Sequence, residues 1–168
     1  MVLLKPGAKD VARLLIDMGR RPWPATDADR RRYFDQLGLH DAESIPLHDE
    51  SPDTRSWRVT TSLSGDLWGI ATAHGRQFSG VNFFCYSEPG DDGPQARAGF
   101  ANLGRHLSRA LGKPAERWGP EREPACLWHV GSLQLDMYCF QRDASGLMVG
   151  LARPDPIESD GEPPTPRP

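Results

Sequence analysis

The feature that most constrains this chain is a change of hydrophobic period. Between Lys9 and Met18 the apolar residues Val11, Leu14, Leu15 and Met18 fall at i, i+3, i+4 and i+7, one stripe along a helix. From Trp57 the period is 2, with Trp57, Val59, Thr61 and Leu63 alternating with polar residues. A chain that switches in this way sets helices against a sheet. The turns Ser64-Gly65-Asp66 and His74-Gly75-Arg76 are short. Strands around Trp57–Leu63, Leu67–Ala73 and Val81–Tyr86 therefore form an antiparallel meander, because parallel neighbours need long crossovers.

The pattern then repeats. Gln95 to Leu111 reads as a helix with Phe100, Leu103, Leu107 and Leu111 on one face, stopped by Gly112 and Pro114. Three more strands follow, Cys126 to Val130, Leu133 to Gln141 and Leu147 to Arg153. Upstream, Thr26 caps a second helix, with Tyr33, Phe34 and Leu37 on its apolar face and Gly38 at its end. The acidic segment from His40 to Arg55 reads as a loop, and so does the polar stretch before Pro124. The expected order is ααβββ-α-βββ. This is an α+β domain of two antiparallel three-stranded meanders, pooled in one sheet or packed as two, with the helices on the sheet. The domain spans 1–153, and 154–168 reads as a disordered, proline-rich acidic tail.

Composition narrows the function classes. A net charge of −3 gives no global field toward nucleic acid or an anionic membrane, so neither is expected as a partner. The apolar run at Met1–Leu4 is cut by Lys5-Pro6-Gly7, and Leu147–Ala152 is far too short for a membrane span. No targeting segment is read, and a cytoplasmic location is expected. Three cysteines without framework spacing suit a reducing compartment.

Local chemistry is sparse. Cys126 and His129 lie three apart on a strand, which sends their side chains to opposite faces. Cys85 and Cys139 share faces with aliphatic residues and read as small core hydrophobes. No metal site, cofactor or catalytic residue is expected. Gly90-Asp91-Asp92-Gly93 precedes a helix, but it lacks the lysine of a phosphate loop and its aspartates would repel phosphate. Arg20, Arg21, Arg30, Arg31 and Arg32 bracket Trp23 and read as a solvated face. Phe84, Tyr86, Tyr138 and Phe140 fall on strand faces opposite the aliphatic stripes, so a helix-free sheet face would gather them into a partner-binding surface. The acidic segments holding Asp49, Glu50 and Asp53, and Asp91 and Asp92, would complement a basic partner.

Several of these residues carry a resemblance. They are Ala12-Arg13-Leu14-Leu15 with Trp23, Leu37-Gly38, the helix Phe100-x-x-Leu103-x-x-x-Leu107-x-x-x-Leu111-Gly112-x-Pro114, the strand at Trp128, and Leu133-x-Leu135. Together they resemble a family of small actinobacterial single-domain proteins encoded near secreted or polymorphic toxin genes. The resemblance implies an immunity protein, non-enzymatic and cytosolic, that neutralises a toxin by direct binding. Two alternatives stand beside it. One is a secretion chaperone or adaptor for an extended peptide. The other is an enzyme or small-ligand binder with a pocket between sheet and helices, titratable at His74, His106 or His129. The sequence does not set an oligomeric state.

Overall fold

Thr26 and Gly38 fix the ends of one helix, and the rest of the architecture hangs from such stops. The Thr26 hydroxyl accepts a hydrogen bond from the Asp29 amide at 3.2 Å, and Gly38 turns the chain at φ 66°. The computed structural model describes residues 3–45, 52–90, 92–141 and 143–154. Among them the order is α1 (Ala8–Arg20), α2 (Asp27–Leu37), β1 (Leu39–Ser44), β2 (Thr54–Thr61), β3 (Leu67–His74), β4 (Gln77–Pro89), α3 (Pro94–Leu111), β5 (Glu116–Trp118), β6 (Ala125–Val130), β7 (Leu133–Gln141) and β8 (Ala144–Ala152).

All eight strands belong to one antiparallel sheet of order β1-β2-β3-β4-β8-β7-β6-β5. The strands are thus pooled in one sheet, and each expected three-stranded meander is a four-stranded one. The added strands are β1, within the segment expected as a loop, and β5, within the polar stretch. Both are edge strands. Beyond Leu39, β1 carries His40 and Asp41, and β5 is three exposed residues, Glu-Arg-Trp. Charge and brevity blunt an edge against further pairing, and they also erase the alternation that marks a strand.

One face of the sheet is covered. Leu15, Met18, Phe34, Leu103 and Leu107 from the helices join Val81, Phe83, Leu135, Met137, Val149 and Leu151 in one buried core. Each such side chain contributes about 1.5–3 kcal/mol over its exposed state. Trp23 stacks on Phe78 at 4.8 Å, closing the end near α2.

Two residues depart from the sequence reading. Arg30 is not on a solvated face. It is 1% exposed, lies 4.2 Å over the Trp57 ring, and donates to Asp27 at 2.7 Å and Asp41 at 2.5 Å. Burial alone would lower its pKa, but the bonds to Asp41 and Asp27 outweigh this and hold the guanidinium above its ordinary value. Tyr86 is the second. A bulge after Cys85 breaks the alternation of β4 and sets Tyr86 at φ 55°. Cys85 and Tyr86, consecutive in sequence, are both buried in the helix-side core. The Tyr86 ring rests on Gly99 of α3, and its hydroxyl donates to the Pro6 carbonyl at 3.0 Å.

Candidate functional site

The other sheet face carries no helix among the described residues. Strand register arranges its side chains in rows. Thr60 lies opposite Trp68, Trp68 opposite Phe84, Phe84 opposite Met148, Met148 opposite Tyr138, Tyr138 opposite Ala125, and Ala125 opposite Trp118. One apolar band, rich in aromatic rings, therefore crosses the sheet. Trp68 stacks on Phe84 at 4.7 Å, and Phe140 meets Phe84 edge-on at 6.4 Å. Phe140 leans over its neighbour Gly146, where an added Cβ would come within 2.5 Å of the ring. The Arg58 guanidinium covers Trp68 at 4.8 Å, and the Tyr138 hydroxyl donates to Met148 Sδ at 3.0 Å. Trp118, at the edge, is 49% exposed.

The next row reads Arg58, Ile70, Asn82, Gly150, Asp136, Leu127 and Glu116. Its centre is polar. An added Cβ on Gly150 would lie 2.2 Å from Asn82 Oδ1 and 2.8 Å from Asp136 Oδ1, so two acceptor oxygens converge over bare backbone. Burial raises the Asp136 pKa, against the hydrogen bond from its own backbone amide. Past this row, Gly80 and Ala152 floor a shallow groove of about 400 Å³ edged by Thr72, His74 and Gln134. Such a face can hold an apolar patch of another protein and receive a donor at Asp136 and Asn82.

Of the residues singled out in the sequence, Phe84, Tyr138 and Phe140 lie together on this face. Tyr86 does not, because of the bulge. Asp53 is exposed beside the β3–β4 turn, its carbonyl accepting from the Gly75 amide at 2.8 Å. Asp92 is exposed beyond the far end of β4 and pairs with Arg97. The length of β4 separates the two aspartates by about 40 Å, so they make no single acidic cluster. Asp49, Glu50 and Asp91 lie outside the described residues. Sequence reasoning missed Trp68, Met148, Trp118, Asn82 and Asp136. Parity would have found Trp68, which stands out of phase with Leu67 and Ala71.

The thiols sit on the helix side. Burial pushes Cys126 up to about 11 and Cys139 to about 12, and Cys85 is also raised, so none is a thiolate near neutrality. His129 is exposed while Cys126 and Trp128 are buried, which separates Cys126 from His129 across the sheet. His74 Nδ1 lies 2.8 Å from the Thr54 hydroxyl. Among the described residues no three His, Cys, Asp or Glu side chains gather as a metal site, and no helix is long and apolar enough to cross a membrane. No family model, curated protein or solved structure matches the chain.

Proposed function

We propose that this chain is a non-enzymatic cytoplasmic binding protein that docks a partner protein on its helix-free sheet face, and that the partner is a toxin which it neutralises. The observation that carries the reading is the in-register band Trp68–Phe84–Met148–Tyr138 beside the Asp136–Asn82 acceptor pair. Half-buried aromatic rings supply contact area at low entropic cost, and hot spots favour such rings. A lone carboxyl among them favours a partner that brings a lysine or arginine into an apolar surround. Pairing there would offset the desolvation of Asp136. The toxin assignment rests on the resemblance described above.

The test is co-expression with the tagged product of the adjacent gene. The wild-type chain is expected to co-purify with it and to relieve its toxicity, and Phe84→Asp to do neither while remaining folded. A neighbour that is not toxic, or that fails to bind, refutes the toxin reading.

A further inference from the structure

A second surface lies on the opposite side of the sheet, between α3 and the β5–β6 hairpin. Phe100, Gly104 and Trp128 line an open groove of about 540 Å³, and Cys126 lies at its base. Gly104 keeps the floor low, and an added Cβ there would make ordinary contact with Met137 Cε at 3.5 Å. Arg105 and Arg109 from α3 and Arg117 from β5 stand along this groove, all three exposed.

These cations are unmatched. Arg105, Arg109 and Arg117 form no ion pair among the described residues, and Arg105 donates to the neutral Asn102 side chain at 2.6 Å. The helix dipole explains a cation such as Arg109 in the last turn of α3. It explains neither Arg105, more than one turn earlier, nor Arg117 on a strand. Among the described residues no acidic side chain lines the groove, although the whole chain has a net charge of −3.

We propose that this groove binds a small anionic amphiphile, with a flat aromatic or short acyl body against Phe100, Gly104 and Trp128 and an acidic head held by Arg105, Arg109 and Arg117. The guanidinium fork matches the paired oxygens of a carboxylate, sulfonate or phosphate. The volume is that of small-molecule sites in general. This site is separate from the sheet face and does not depend on its role.

The probe is anilinonaphthalene sulfonate, with uncharged phenylnaphthylamine as the control. Saturable one-to-one binding with a blue-shifted emission is expected for the sulfonate, and weaker binding for the control. Arg105→Gln with Arg117→Gln should raise Kd about tenfold or more, as expected for lost charge-assisted contacts. Gly104→Leu should abolish binding without lowering Tm, because it fills the groove at an unstrained helical position. Trp68→Ala, on the other face, should leave Kd unchanged. Equal affinity for the uncharged probe would overturn the proposal. So would loss of binding in Trp68→Ala with retention in Gly104→Leu.

Discussion

Two glycines on one helix should respond to the same substitution with opposite signs. Gly104→Ala adds a methyl whose nearest neighbour is Met137 Cε at 3.5 Å, an ordinary contact. Replacing an interior helical glycine by alanine gains about 0.5–1 kcal/mol. Tm should rise by roughly 1–4 °C for a chain of this size. Gly99→Ala has the same intrinsic gain, but its methyl would sit 2.2 Å from Tyr86 Cδ2 and 2.6 Å from Cε2. Tyr86 has little room to retreat. It is 2% exposed, its backbone is held at φ 55°, and its hydroxyl is bonded to Pro6. Overpacking costs about 1–3 kcal/mol, and a lost buried hydrogen bond about 1 kcal/mol more. Set against the helix gain, Gly99→Ala should be destabilised by about 1–3 kcal/mol. Urea unfolding followed by circular dichroism measures both variants on one scale. Gly99→Ala as stable as Gly104→Ala would refute the placement of Tyr86 under α3, and with it the bulge that removes Tyr86 from the open face.

Further outcomes follow from the other buried polar groups. Arg30→Ala removes the cation of Asp41, leaves Asp27 only its 3.5 Å contact with Arg55, and should cost about 3 kcal/mol in the same assay. Arg30→Lys should recover only part of that, because an ammonium cannot make the flat fork over Trp57. Asp136 has a folded pKa raised by burial, so its carboxyl contributes stability at low pH that is lost as pH rises through the folded value. Asp136→Asn should therefore stabilise the free protein at neutral pH, with the gain vanishing below about pH 3.5, where both states are protonated. The same variant should weaken partner binding. Because Cys85 and Cys139 are buried in the core and protonated, a thiol-specific disulfide reagent should label these two in the native chain at pH 8 only as it unfolds, and label them promptly in denaturant.

Much of the interior was legible because burial imposes periodicity. Strand parity put Cys85 and Cys139 in the core and set Phe84, Tyr138 and Phe140 on the other side. Stop signals at Gly38 and Gly112 placed helix ends. Illegible features are those where one interaction overrides the pattern. The β4 bulge shifts Tyr86 by one position and reverses its face. The edge strands β1 and β5 pair on one side only, so little in their sequence has to be apolar. Arg30 looked like part of a basic cluster until its carboxylates arrived from α2 and β1. Asp136 and Asn82 are polar residues between apolar ones, as any half-exposed strand has. Only the pairing of β4 and β7 with β8 brings them together over Gly150.

The claim that the helix-free face docks a protein is tested most directly by hydroxyl-radical footprinting of the complex with the neighbouring gene product. Binding should protect Trp68, Phe84, Tyr138 and Trp118 and leave Leu14 and Phe100, on the helix side, as reactive as before. Unchanged reactivity along the aromatic band, with protection on the helix side instead, would contradict it.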